Sequence, residues 1–309
     1  MIGVWVAVGL VWAATLMGCA SRWGWLCDLA SHFRVQYAWL LGFCAVLFVA
    51  LHQPLGVVMA AGGLLVNLRF ILPVYVRRPS RAHGRTFRGM SVNLWRINRA
   101  YEKACRYVRA VNPDFIVFQE VSDEWQVALR ELQADYPFSK GANLAGGFGL
   151  LLLSRLPIER AEVIPTGVAG LPSIVAHLQL DEHRLTVIGT HPHSPVTPRR
   201  MRFRNHHLAH LAEVVLAQRG PVMVLGDFNT TSWTAAFQAL LQRAKLQDSR
   251  TGFGLQPTWP SFMLFLRIPI DHCLVSSEIV VSQRRVGSYI GSDHYPVIVD
   301  FAICEMRAL

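Results

Sequence analysis

Val222-Met-Val-Leu-Gly226-Asp227-Phe228-Asn229 is the stretch on which the reading of this chain turns. Its first four residues are apolar, with β-branched valine at two positions, the length and composition of a buried strand. The run then stops in a glycine, an acid and an amide. Side chains alternate along a strand, so Asp227 and Asn229 should project to one side, while Gly226 leaves room for a ligand to approach the backbone. Similar punctuation recurs elsewhere. Phe115-Ile-Val-Phe-Gln119-Glu120 also finishes an apolar strand with an acid, and Leu185-Thr-Val-Ile-Gly-Thr190-His191 ends one in a histidine. Ile270-Asp271-His272 opens a strand, and Gly291-Ser292-Asp293-His294-Tyr295-Pro296 precedes the last one. Singly these fragments say little, because acids at strand ends are commonly solvated. Their number and order carry the weight.

Around these ends, apolar runs of strand length alternate with amphipathic runs of helix length. Strands are expected at 91–95, 115–119, 150–154, 174–180, 185–190, 222–225, 272–276 and 297–301, and helices at 99–111, 123–135, 202–218 and 234–245. The mixture predicts an α/β domain with buried sheets over about 220 residues. No internal repeat or low-complexity segment interrupts it.

Taken together the motifs resemble the endonuclease/exonuclease/phosphatase superfamily of metal-dependent phosphoesterases. Over roughly 90–303 they follow the family's order: Val92-Asn93-Leu94-Trp95, Phe118-Gln119-Glu120-Val121, Gly149 through Ser154-Arg155-Leu156-Pro157, Thr190-His191-Pro192, Gly226-Asp227-Phe228-Asn229, Ile270-Asp271-His272 and Ser292-Asp293-His294. The resemblance implies a four-layer α/β sandwich, two mainly antiparallel sheets flanked by helices with the site at one end. It also implies a divalent cation, Mg²⁺ or in its place Mn²⁺. Glu120 would be the direct metal ligand, with Asn93 beside it and Asp293 adding charge on the metal side. Asp227 and Asn229 would orient or deprotonate the attacking water and hold a phosphoryl oxygen. His294 would be the catalytic or phosphate-contacting histidine, its tautomer held by Asp271. His191 would protonate the leaving oxygen, unless it is a strand-end histidine bonded to backbone. Asn93, Asn229 and Arg199 are the expected substrate contacts. A transition state carrying extra negative charge needs such a hard cation and fixed donors.

The chain has 309 residues, 52% hydrophobic and 16% charged, with mean hydropathy +0.30 and formal net charge +10. This composition excludes a disordered chain, a collagen or a small disulfide scaffold. Residues 77–89 carry five arginines and no acid, half of the net charge. Residues 1–76 carry Arg22, Arg34, Arg69 and one acid, Asp28, among long apolar runs. We expect an anchor over 1–76 with two to three transmembrane helices at 2–20, 37–51 and 55–76. An Arg-rich juxtamembrane linker at 77–89, the catalytic domain at 90–303 and a tail at 304–309 would follow. A helix of 19 residues rises about 29 Å, enough to cross a bilayer core. A cleaved signal peptide fits poorly without a basic start, and Leu16-Met17-Gly18-Cys19 only faintly suggests a lipoprotein. The protein is thus expected in a membrane, as in a bacterial inner membrane. Its arginines favour the catalytic domain on the cytoplasmic side, with the extracytoplasmic side as the alternative.

Substrate class divides the expectations. A nuclease-like phosphodiesterase comes first, on the strength of His191. A lipid phosphodiesterase or phosphatase, of sphingomyelinase or phosphoinositide-phosphatase type, comes second, and a catalytically silent membrane scaffold third. A nearly neutral catalytic domain argues against tight binding of long DNA. The partners implied are the phosphodiester, nucleic acid or lipid headgroup, and the bilayer. His206 and His210 are spaced i, i+4 but lack a metal-site pattern, and read as a helix face. Arg199, Arg200, Arg202 and Arg204 are either a helix start or a phosphate-steering patch. Thr258-Trp259-Pro260 and the apolar 262–266 run are expected to pack as core, the alternative being a rim that contacts lipid or base. The six cysteines show neither metal spacing nor a disulfide framework.

Overall fold

The computed structural model describes residues 1–76, 85–143 and 149–304. Most of the Arg-rich linker, residues 77–84, and the tail from 305 lie outside the described residues.

Two six-stranded sheets stack face to face. The first contains β1 (Phe87–Asn93), β2 (Phe115–Gln119), β3 (Phe138–Ala142), β4 (Leu150–Ser154), β11 (Ile279–Val286) and β12 (Val297–Ile303), in the order β11-β12-β1-β2-β4-β3. The second contains β5 (Ile158–Thr166), β6 (Leu171–Leu180), β7 (His183–Thr190), β8 (Val222–Asp227), β9 (Gln247–Asp248) and β10 (Asp271–Val275), in the order β5-β6-β7-β8-β10-β9. Each sheet is antiparallel except for one central parallel pair, β1 with β2 and β7 with β8. Phe115, Val117, Leu152, Val187, Met223, Leu225 and Phe301 fill the space between the sheets. Helices α6 (Tyr101–Val111) and α7 (Asp123–Leu129) cover the outer face of the first sheet, burying Cys105, Val108 and Trp125. Helices α8 (Pro198–Leu216) and α9 (Ala235–Ala244) cover the second through Leu208, Leu211 and Phe237. This is the expected four-layer α/β sandwich.

The strand expectations hold in position, while their ends shift by a few residues. Four strands escaped the reading: β3, β5, β9 and β11. Glu159, Arg160 and Glu162 on β5 and Arg284 and Arg285 on β11 place charge within edge strands, which masks their pattern. Helix α8 begins four residues earlier than expected. Thr197 caps it, its hydroxyl accepting from Arg200 N, and Pro198 sits in the first turn, where its missing N–H costs nothing. The expected 123–135 helix stops at Leu129 and continues as a single 3₁₀ turn, Arg130–Leu132.

The first 76 residues form α1 (Ile2–Cys19), α2 (Trp25–Ser31), α3 (Arg34–Ala50), α4 (Pro54–Ile71) and the short α5 (Pro73–Val76). Helices α1 and α4 are each long and apolar enough to cross a membrane, and α2 with α3 qualifies as a pair bent by 65°. Pro73 divides the segment expected at 55–76, because proline cannot donate to the carbonyl four residues back. α3 packs tightly on α4: a Cβ on Gly56 would lie 2.5 Å from the Phe48 ring. Arg34, expected in a loop, is instead a fully buried helix residue. Its guanidinium donates to Thr15 O (3.1 Å) and Asn67 Oδ1 (3.4 Å) and lies over the Phe70 ring.

Candidate active site

Strand register assembles the site. The C-terminal ends of the two parallel pairs face each other across the sandwich. In the first sheet Asn93 lies beside Gln119, which puts Glu120 next in line. In the second, Thr190 lies beside Gly226, so His191 follows next to Asp227, and antiparallel β10 sets Asp271 directly opposite Asp227. The loop before β12 adds Asp293 and His294. Ser292 pins that loop by donating to Asn93 O (2.7 Å) and accepting from His294 N (3.0 Å).

Asn93 is the hub between the sheets. Its Nδ2 reaches Glu120 Oε1 (3.2 Å), Asp227 Oδ2 (3.1 Å) and His294 Nε2 (3.4 Å). Asp227 Oδ2 also lies 3.5 Å from His191 Nε2 and 3.7 Å from His294 Nε2. His294 Nδ1 meets Asp271 Oδ2 at 2.8 Å, the pairing expected from the sequence. Asp227 Oδ1 accepts from Asn229 N (2.8 Å), and Asn229 Nδ2 donates to Pro192 O (3.0 Å). Three non-glycine residues here adopt left-handed backbone: Trp95, Glu120 and Asn229, with φ of 56°, 57° and 49°. Each such residue costs about 1–3 kcal/mol, a strain found where side chains must be aimed.

The electrostatics follow from burial against charge. Burial opposes the His294 cation, but Asp271, Asp227 and Asp293 outweigh it and lift its pKa to about 10. Burial works equally against protonated His191, yet Asp227 and Glu120 leave it above the ordinary value. Burial would raise Asp227, and the two histidines hold it below the usual carboxylate range. Asp293 goes the other way, raised by burial.

Two donor sets could hold a cation. Ligand atoms of Asp227, Asp271 and His294 lie within 4.8 Å of one another. In that set Asp271 Oδ2 and His294 Nδ1 are already bonded to each other, so it reads as a proton-holding triad. Beside it, Glu120 and Asp293 line the same cleft. Trp259 Nε1 donates to Asp293 Oδ2 (3.0 Å), while the buried Asp293 Oδ1 has no hydrogen-bond partner. His294 Nε2 is 4.0 Å from it, and a carboxylate oxygen without a hydrogen bond, in one cleft with a second carboxylate, suits a hard cation.

The cleft has a volume of about 580 Å³. Glu120, His191, Asp227, Asn229, Asp293 and His294 line it, so the structure gathers six of the expected site residues on its wall, with Asn93 and Asp271 bonded behind. Arg199 is not among them: it lies over the Phe203 ring, and Arg200 takes the cleft wall. The helical turn separates the two by about 100°, and four arginines within six residues give no sequence signal for which faces inward. Gly226 also serves a different purpose from the one expected. A Cβ there would lie 1.9 Å from Thr190 O, so the neighbouring strand, rather than a ligand, demands glycine. His272 turns away from the site, bonding Thr230 O (2.8 Å) against the Phe237 ring. His210 accepts from Gly167 N, in keeping with a helix-face role.

Sequence reading missed the contribution of the N-terminal helices. Leu29, His32 and Phe33 form part of the cleft wall. His32 Nδ1 lies 3.0 Å from Thr231 Oγ1, and Asp28 Oδ1 accepts from Arg204 Nη2 (2.7 Å), both residues of that ion pair being fully buried. Arg204 therefore docks the N-terminal helices instead of steering phosphate. Asp28 is the lone acid of the first 76 residues, the only local hint of such a partner.

Residues 90–294 match the Endonuclease/Exonuclease/phosphatase family, two thirds of the chain. The chain belongs to that family. It is accordingly a hydrolase of phosphoric ester bonds. No curated protein matches it in sequence. Solved structures share the family fold: truncated Caenorhabditis elegans TDP2 aligns with TM-score 0.59 at 19% identity, covering 70% of this chain and 97% of that one. The human Nocturnin catalytic domain with bound sulfate aligns with TM-score 0.57 at 19% identity, covering 74% and 100%. D. rerio TDP2 complexed with a single-strand DNA product aligns with TM-score 0.59 at 16% identity, covering 71% and 100%.

Proposed function

We propose that this family member is a membrane-anchored, divalent-metal-dependent phosphodiesterase, residues 1–76 serving as the anchor. The observation that carries the reading is the convergence of Glu120 and the orphaned Asp293 Oδ1 beside the Asp227–His294–Asp271 triad and His191 in one cleft. Glu120 and Asp293, with Asn93 beside Glu120, would hold Mg²⁺ or Mn²⁺. Bound there, the cation supplies positive charge to a phosphoryl oxygen.

The remaining steps belong to side chains. Asp227 Oδ2, kept ionised by two histidines, would take the proton of a water aimed at phosphorus. Asn229 would hold that water or a phosphoryl oxygen from the Asp227 turn. The His294 imidazolium, fixed by Asp271, would face the charge developing on the phosphoryl group. His191 Nε2 would give its proton to the leaving oxygen as the P–O bond breaks. A histidine placed to protonate a leaving alkoxide favours a diester over a simple binding role.

The test uses the full chain in detergent, supplied with Mg²⁺ or Mn²⁺ and offered a bis-aryl phosphodiester, plasmid DNA, RNA, sphingomyelin and phosphoinositides. Chelation is expected to abolish turnover, and Glu120→Ala or Asp227→Asn to reduce it by on the order of 10²–10⁴-fold. Turnover that survives chelation or both substitutions overturns the assignment.

A further inference from the structure

The helical bundle stands on the sandwich at the end where the cleft opens. Ser21 Oγ, just after α1, accepts from Ala235 N, and Phe70 O, near the end of α4, accepts from Trp233 Nε1. His32, before α3, meets Thr231. Thr231, Trp233 and Ala235 directly follow Asn229 of the cleft wall. All three long helices therefore meet the sandwich beside the site, and their other ends, near Met1 and His52, point away from it. If the helices cross a bilayer, the mouth of the cleft sits against its surface.

A second feature lies at the same level. The 262–266 run, expected to pack as core, is exposed: Phe262, Leu264 and Phe265 keep 69%, 67% and 88% of their surface. Water is a poor environment for five consecutive large apolar side chains, and isolated soluble domains rarely show such a patch. The loop is held level with the first turn of α3, because Gln36 Nε2 donates to Phe265 O (3.1 Å) and Arg267 O (3.2 Å). One turn further along α3 the exposed Trp39 begins an apolar stripe that continues through Leu40, Phe43 and Val46. Trp23 is exposed near the same end, with Arg22 over its ring. Aromatic and arginine side chains at one end of an apolar bundle are the pattern of a membrane–water boundary. The loop is thus continuous with the lipid-facing surface of the helices.

We propose that the 262–266 loop is a second membrane contact that seats the cleft mouth in the headgroup layer, so that the substrate is a phosphodiester carried by a membrane lipid. The cleft fits such a molecule. Leu29, Phe33, Val196 and Ile268 give it an apolar wall beside the carboxylates and Arg200, a surface for the lipid backbone next to a charged floor for its phosphate. A long duplex would meet the anchor helices at the mouth. This inference rests on the phosphodiesterase reading, and the experiment separates the two.

The full chain is reconstituted with Mn²⁺ in vesicles containing phosphatidylcholine, phosphatidylglycerol, sphingomyelin and phosphoinositide, and is assayed in parallel on a soluble bis-aryl phosphodiester, DNA and RNA. The comparison is the triple variant Phe262→Ser, Leu264→Ser, Phe265→Ser, whose altered side chains are exposed and outside the cleft wall. The expected result is lipid turnover that drops at least tenfold in the variant while soluble diester turnover stays within twofold. A benzophenone amino acid at position 265 is expected to cross-link to lipid acyl chains. Equal lipid turnover by variant and parent, absent cross-linking, or cleavage of DNA or RNA with no lipid turnover overturns this inference while leaving the phosphodiesterase reading intact. No turnover of any diester, soluble ones included, overturns the underlying reading itself.

Discussion

Asp271 touches no part of the cleft surface, yet it sets the state of a residue that does. Its carboxylate holds His294 Nδ1 at 2.8 Å and is the first of three acids that keep the imidazole protonated despite burial. Asp271→Asn keeps the shape and removes the charge, so turnover is expected to fall on the order of 10²–10⁴-fold with little change in KM, read by steady-state kinetics. Unchanged turnover would mean that Asp271 is structural only. Two other histidines act on stability. Burial pushes His207 down to about 3 and His272 down to about 4, so both are neutral in the folded chain. An unfolded histidine titrates near 6.5, roughly. Below that pH the unfolded chain binds protons that the folded chain refuses, and stability falls as pH falls. Each residue should contribute up to about 1.4 kcal/mol per pH unit between about 6.5 and its folded value. Urea midpoints from pH 7 to pH 4.5 are expected to decline, and less steeply in His272→Asn. A flat profile would contradict the buried neutral assignment.

At the scale of elements, the join between α2 and α8 decides whether the N-terminal helices are part of the enzyme or only attached to it. Asp28 and Arg204 pair with both side chains fully buried, and Arg204 also donates to Asn229 O on the cleft wall. Removing one partner leaves a buried charge alone, a loss of about 3–5 kcal/mol. Asp28→Ala should therefore lower the thermal midpoint of the full chain in detergent and weaken turnover. Arg204→Met in the same chain should recover much of the stability, since an apolar pair can replace a buried ion pair. Independent, additive losses would show that the two do not interact. This join also marks the limit of what the sequence disclosed. Strand ends bearing Glu120, Asp227 and His191 were legible because short apolar runs stopped abruptly in polar residues, whereas the strand alternation expected to aim Asn229 does not reach it, since β8 ends at Asp227 and Asn229 is left-handed. Charged edge strands β5 and β11 hid because charge broke that alternation. Leu29, His32 and Phe33 hid for another reason: nothing local marks a contact with residues some 200 positions away. The 262–266 run was misread because apolar composition alone does not tell a core from an exposed apolar surface.

The distribution of charge over the whole molecule bears on its orientation. Arg22, Arg34 and Arg69 all lie at the sandwich end of the bundle, and the Arg-rich 77–89 stretch follows from the same end. The opposite end carries the α3–α4 tip, His52-Gln53-Pro54, with no lysine, arginine or acid. Helices α1 and α4 span about 27 Å each at 1.5 Å per residue, and α3 nearly as much, so the tip and the sandwich would occupy opposite sides of a hydrocarbon core of about 30 Å. Positive charge near membrane segments is retained on the cytoplasmic side, so the expected orientation has the sandwich there and the tip outside. Fluorescent-protein fusions after Leu309 are expected to fluoresce and alkaline phosphatase fusions at the same point to stay inactive. A cysteine at Gln53 is expected to react with an impermeant maleimide added to intact cells. The reverse pattern would place the cleft on the outer surface, and with it the leaflet from which a lipid substrate must be drawn. Labelling at position 53 together with an active phosphatase fusion would mean that the three helices do not cross as a bundle. The cleft's position at the base of the helices ties the two questions together: on the lipid-substrate proposal, whichever leaflet the arginines face would be the one whose headgroups reach Glu120 and Asp293.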